Sequence, residues 1–138
     1  MTVCLRQGSV TTQIGPGGVL HSLFSTVAVR LENGTWGSRF PVVMGNLYSG
    51  QLAVADADRA LGEMQIIQRE LRALSPSLVV WDAEDTSIVP PWGTPFGAHV
   101  RSCADYWVTI NGRNLVAELV DNLESLKEFG GTLDVISE

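Results

Sequence analysis

Three carboxylates crowd into one short stretch of this 138-residue chain: Asp82, Glu84 and Asp85, directly after the apolar run Leu78, Val79, Val80 and Trp81. Carboxylates gathered where a strand ends suit acid–base work or a divalent cation, because open sheets place their sites at strand carboxyl ends. Such chemistry needs a nucleophile, a histidine or a lysine alongside, and this stretch supplies none. The two histidines, His21 and His99, stand at ligand spacing from no other histidine, cysteine or carboxylate on a clear helical face. His21, near the first turn of an amphipathic helix, reads as a capping or partly buried residue rather than a base. Gly15-Pro16-Gly17-Gly18 precedes a helix, as a phosphate cradle would, but no Gly-Lys-Ser/Thr follows and the spacing fits neither nucleotide fingerprint. It reads as a plain connection from hairpin to helix. No serine sits in a Gly-x-Ser-x-Gly elbow. The residues imply no catalytic group, no cofactor and no metal. The competing reading is a small hydrolase or metal-dependent enzyme working through Asp82, Glu84 and Asp85.

The elements that must position these residues can be read in order. Residues 3–5 and 10–14 flank Arg6-Gln7-Gly8-Ser9 and form a hairpin. Leu20, Leu23, Phe24, Val27 and Leu31 fall at helical spacing, and Asn33-Gly34 stops that helix. Trp36 and Phe40 pin the next loop to the core, and Pro41 opens a short helix over 42–48 that Gly50 closes. A longer helix starts near 54 or 56 and runs to 74, with Ala57, Ala60, Leu61, Met64, Ile67, Leu71 and Leu74 as its apolar stripe. Residues 78–81 read as a strand buried on both faces in the middle of a sheet, with Trp81 in it. The strand delivers a rigid acidic loop that ends in Pro90-Pro91-Trp92-Gly93. Residues 104–110 read as another strand, ending in the turn Asn111-Gly112. Asn114 caps a last helix that runs to about 129, and residues 132–136 form a final strand. The expectation is an α/β (α+β) single domain over 1–138, a mixed sheet with packed helices, in the order β-β-α-α-α-β-β-α-β.

Charge is distributed unevenly. The net charge is −6; residues 1–69 hold four acids and five bases, and residues 70–138 hold eleven acids and four bases. An acidic surface repels phosphate backbones and speeds encounter with basic partners, so direct nucleic-acid binding is disfavoured. On the last helix, Leu115, Val116, Leu119, Val120, Leu123 and Leu126 share one side, while Glu118, Asp121, Glu124 and Glu128 line the other. Like charges three or four residues apart cost a few tenths of a kcal/mol per pair, so this ridge is either an ordinary solvated face or a binding face. No run of 18 apolar residues exists, and the start lacks a signal peptide's basic end and apolar core. A cytoplasmic protein without a membrane partner is expected. For such a chain, Cys4 and Cys103 are expected to be reduced, buried thiols rather than a disulfide.

Taken in order, Leu23-Phe24-Ser25-Thr26, Trp36-Gly37-Ser38-Arg39-Phe40-Pro41, Leu47-Tyr48-Ser49-Gly50, Val80-Trp81-Asp82, Glu84-Asp85 and Pro90-Pro91-Trp92-Gly93 resemble the bacterial immunity protein 70 family. The last helix is not part of that resemblance. The resemblance implies an immunity protein that binds and neutralises the C-terminal toxin domain of a polymorphic or contact-dependent growth inhibition effector. The toxin is expected to be basic, as a nuclease must be to hold its substrate, and to be blocked at its active site or substrate groove. The candidate toxin contacts are Glu118, Asp121, Glu124 and Glu128 on the last helix, and Asp82, Glu84, Asp85 and Trp92 around the acidic loop.

Overall fold

Strand-forming residues build the first hairpin, Val3–Gln7 (β1) and Val10–Gly15 (β2), which pair antiparallel around a turn at Gly8 and bury Cys4, Leu5 and Ile14. The computed structural model describes residues 2–89 and 100–137, so the Pro90-Pro91-Trp92-Gly93 motif and His99 lie outside the described residues. Two further strands, Gln51–Ala53 (β3) and Thr132–Ser137 (β4), complete a sheet of order β2-β1-β4-β3. The chain's last strand thus sits inside the sheet, between the first and the third.

The fold is α+β, with an antiparallel sheet and three α-helices packed on it: Gly17–Thr26 (α1), Ala57–Arg72 (α2) and Leu115–Phe129 (α3). Leu5, Leu52 and Leu133 share one sheet face and are fully buried with the apolar stripes of the helices. On the other face, Arg6, Asp134 and Gln51 form a row across β1, β4 and β3, joined by an ion pair of 3.7 Å and a hydrogen bond of 3.1 Å. The expected helix stripes are present except at one end: Ala57, Ala60, Leu61, Met64, Ile67 and Leu71 are buried on α2, which stops at Arg72 and leaves Leu74 partly buried beyond it, and all six named apolar residues of α3 are buried. Asn114 caps α3, its Oδ1 accepting the Ala117 N–H at 3.0 Å. The first helix continues past α1 as a π-helical turn, Val27–Leu31, and the short helix after Pro41 is also π-helical, Val42–Leu47.

The middle of the expected order is corrected. The described sheet is wholly antiparallel rather than mixed, residues 78–81 and 104–110 form no strand, and the three-residue β3 was not anticipated. Pro76–Leu78 is a 3₁₀ turn, and the extended chain after it lies along α1 instead of in the sheet. Its backbone is held by side chains spaced four apart on that helix and its continuation. Arg30 Nε donates to Leu78 O at 2.9 Å, Thr26 Oγ1 accepts the Val80 N–H at 2.9 Å, and Ser22 Oγ donates to Val80 O at 2.9 Å. Ser22 Oγ also accepts the indole N–H of Trp107 at 3.0 Å. A short apolar run reads the same whether ladder partners or side chains satisfy its backbone, and here side chains do so. Trp81 is accordingly partly buried rather than a core residue of a strand. A Cβ on Gly18 would stand 2.8 Å from Trp81 Cζ2, so glycine there lets the indole lie against the first turn of α1.

In the second stretch, Cys103–Asp105 is a 3₁₀ turn, Tyr106 and Trp107 are buried, and only Val108 bridges, to Asn114. The Asn111-Gly112 turn does form, with Gly112 at φ 78° and its N–H bonded to Thr109 O at 2.9 Å. Cys4 and Cys103 are buried thiols, not joined in a disulfide. Burial pushes the Cys103 thiol up to about 11, from an ordinary value of 9.0.

Two outcomes follow from this packing. Thr26→Val keeps the shape but leaves the buried Val80 N–H without its acceptor, and should cost about 1–3 kcal/mol in a urea denaturation midpoint; an unchanged midpoint would show that the hydroxyl does not hold the strap. Cys103 keeps its proton in the folded chain at pH values where the unfolded chain has lost it. Its contribution to stability is therefore complete below pH 9 and declines as the pH rises toward about 11. Native protein should resist iodoacetamide at pH 8 at this thiol and react once denatured; rapid alkylation in the native state would contradict the burial.

Candidate functional site

The acidic loop begins where the strap along α1 ends. Asp82 Oδ1 accepts the Glu84 N–H at 2.9 Å and lies 3.4 Å from His21 Nε2. His21 Nδ1 is 2.6 Å from the Tyr48 hydroxyl. Both contacts are met by a neutral imidazole whose Nε2–H points to Asp82 and whose Nδ1 accepts the Tyr48 O–H. The Glu84 amide and then His21 hold the Asp82 carboxyl below its ordinary range. Burial, and then the charges of Asp82 and Glu84, push the Tyr48 hydroxyl up. A phenol held neutral in this way is an anchor and a poor nucleophile.

Aromatic rings back this cluster. Trp36 stacks at 6.3 Å on His21 and meets Tyr48 edge-on at 4.9 Å, and Phe24 meets Tyr48 edge-on at 4.8 Å. Trp36 is fixed by its indole N–H, which donates to Met44 O at 2.8 Å. Its loop is organised by Glu32, a buried carboxylate that accepts the N–H groups of Gly37 at 3.0 Å, Arg39 at 2.9 Å and Phe40 at 3.1 Å. Arg39 forms a two-pronged pair with Glu70 of α2, at 2.8 and 2.7 Å. Glu63 of α2 caps the Val42–Leu47 helix by accepting the Val42 and Val43 amides at 3.1 and 2.8 Å. The short motifs around residues 23–26, 36–41, 47–50 and 80–85 therefore converge on one junction.

The structure places the named acids in two groups with different roles. In the loop, Asp82 is committed to His21 and to its own turn, Asp85 accepts the Ser87 N–H at 3.1 Å, and Glu84 is exposed. No group of three His, Cys, Asp or Glu side chains placed to hold a metal exists among the described residues. Trp92 lies outside the described residues. On α3, Asp121, Glu124 and Glu128 are exposed, whereas Glu118 turns aside to Arg113 at 3.4 Å, its side chain only 13 % exposed. Lys127 leaves the ridge altogether and pairs with Asp58 of α2 at 2.9 Å. Among the described residues most other acids are paired or hydrogen-bonded within the fold, while Asp121, Glu124 and Glu128 are not.

The family model for immunity protein 70 matches residues 5–135. The chain belongs to the immunity protein 70 family. The match runs through α3, which the short motifs alone did not reach. No curated protein and no solved structure matches the chain. Membership implies a cognate toxin that this immunity protein neutralises, and the family acts by inhibition and not as an enzyme. No helix among the described residues is long and apolar enough to cross a membrane.

Sequence reasoning underrated His21, because its partners lie 27 and 61 residues away in the chain. It also passed over Val10 and Phe129, which are 65 % and 78 % exposed. Phe129 did carry a signal, since at about 100° per residue it falls beside Glu118 and Ser125 rather than on the apolar stripe.

His21→Phe keeps a ring beside Trp36 but removes both polar contacts. It should lower global stability by no more than about 1 kcal/mol, since the site is partly exposed. Limited proteolysis within residues 82–89 should accelerate. A cleavage rate equal to that of the parent would show that His21 does not hold the loop.

Proposed function

We propose that this immunity protein is a cytoplasmic inhibitor of a nuclease toxin domain, delivered by a polymorphic or contact-dependent growth inhibition effector. It binds the toxin stoichiometrically and covers its active site or substrate groove. The observation carrying this reading is the acid ridge of Asp121, Glu124 and Glu128, exposed and unpaired among the described residues on a helix whose opposite side is core. Like charges on neighbouring helical turns are a stability liability, and one that a basic partner relieves. A nuclease must present a basic groove to its substrate, so an acidic surface competes for the same groove. Glu84 and Asp85 supply a second acidic contact, presented by the loop that Asp82 and His21 dock, and Trp92, later in the sequence, is a further candidate contact. Glu118, held by Arg113, contributes at the margin of the ridge.

The test is titration of the purified cognate toxin domain, with DNA and RNA as substrates. Activity should fall linearly to zero at one equivalent of inhibitor, as expected for a tight complex. Inhibition that never saturates, or a toxin that cleaves no nucleic acid, would overturn this reading. Reversing Asp121 and Glu124 to Lys should slow association at low salt by about tenfold or more and flatten its salt dependence, with dissociation less affected. An unchanged association rate at low salt would make the ridge a solvated face.

A further inference from the structure

The acid ridge does not stand alone on α3. Asp121, Ser125 and Phe129 follow one another at intervals of four and form one wall of an open groove of about 460 Å³. The tip of the β1–β2 hairpin, Gly8, Ser9 and Val10, forms the other wall. Gln7 Nε2 braces the floor, donating to Asn122 O at 2.8 Å and approaching Asn122 Oδ1 at 3.0 Å, so hairpin and helix are tied together beneath the groove. A single exposed apolar residue needs no explanation, but Val10 and Phe129 both line this groove, and both stand well out into solvent. Asp121 lies in the groove and on the acid ridge, so the apolar pair has unpaired carboxylates along one side only.

Apolar centre, charged rim and a braced floor are the anatomy of a docking surface. We propose that the groove between the β1–β2 hairpin and α3 is the central seat for the toxin. It would receive an apolar or aromatic toxin side chain between Val10 and Phe129, while flanking lysines or arginines meet Asp121, Glu124 and Glu128. This rests on the reading that a basic toxin is bound. Another groove, about 560 Å³, is lined by Thr11, Thr12, Gln13, Thr109, Asn111 and Arg113. It offers a cation and no apolar anchor, the wrong chemistry for a basic partner. A seat of this size is the centre of a standard interface of roughly 800 Å² per partner, with the ridge as its rim.

The experiment measures binding of the cognate toxin domain to the parent protein and to Val10→Asp, Phe129→Asp and Phe129→Ala. Ile110→Asp, at an exposed position beside the other groove, serves as control. All three positions tested carry exposed side chains, and circular dichroism and melting check that each of the four variants is folded. Phe129→Asp and Val10→Asp should each weaken binding at least ~30-fold, mainly through faster dissociation, and Phe129→Ala by less. Ile110→Asp should bind as the parent does. Parent-like binding by both Asp variants of Val10 and Phe129 would overturn the groove while leaving the immunity reading intact, because the parent still neutralises the toxin. Loss of binding in Ile110→Asp with retention in Phe129→Asp would move the seat to the other groove. No binding by the parent protein itself would remove both.

Discussion

The junction of this fold depends on three side chains, Ser22, Thr26 and Arg30, which project from one side of the first helix and its π-helical continuation onto the chain at 78–80. An extended segment outside a sheet has unpaired amides and carbonyls, and burying them without partners costs about 1–3 kcal/mol per group. Helical spacing of four sets the hydroxyls and the guanidinium against the carbonyls of Leu78 and Val80 and the Val80 amide, so a helix substitutes for a neighbouring strand. The strap in turn sets where Asp82 emerges. Because Val80 is bound to Thr26, Asp82 reaches the exposed edge of the same helix, where His21 meets it.

Acidic residues then divide by location. Those in the first half and at the junction act inside the fold: Glu32 gathers three amides of the Trp36 loop, Glu63 caps the helix after Pro41, and Glu70 clamps Arg39. Each replaces hydration of a carboxylate with directed N–H donors, and that organises a loop as well as satisfying a charge. On α3, Glu118 has Arg113 as its donor, whereas Asp121, Glu124 and Glu128 have none among the described residues. The charge count by halves therefore does not by itself locate the uncompensated charge, because acids in both halves are engaged within the fold while Asp121, Glu124 and Glu128 face solvent. This division separates carboxylates that build the scaffold from those that remain in solvent.

Helical elements were legible wherever apolar residues recur at three and four over several turns, as on α2 and α3, whose buried residues match the expected stripes. Caps and turns followed from side-chain chemistry, with Asn114 on the Ala117 amide and Gly112 in its turn. The segments at 78–81 and 104–110 were misread as strands because β-branched and aromatic residues favour any buried extended chain. β3 escaped notice because three residues carry no periodicity.

Sequence by itself determined the residue types and their local order: the helix stripes, the acid ridge, the absence of a nucleophile beside the carboxylates, and the ordered motifs that mark the family. Each depends on neighbours within about four positions, or on residue identity, and both are visible along the chain. Tertiary structure alone decided that the last strand enters the middle of the sheet, that Asp82 belongs to His21 and Tyr48, and that Glu118 turns to Arg113 while Asp121 stays free. It alone brought Val10 and Phe129 to opposite walls of one groove, across 119 residues of chain. The physical reason is that long-range pairing is settled by which polar groups find partners once the core has closed, and no local pattern encodes that competition.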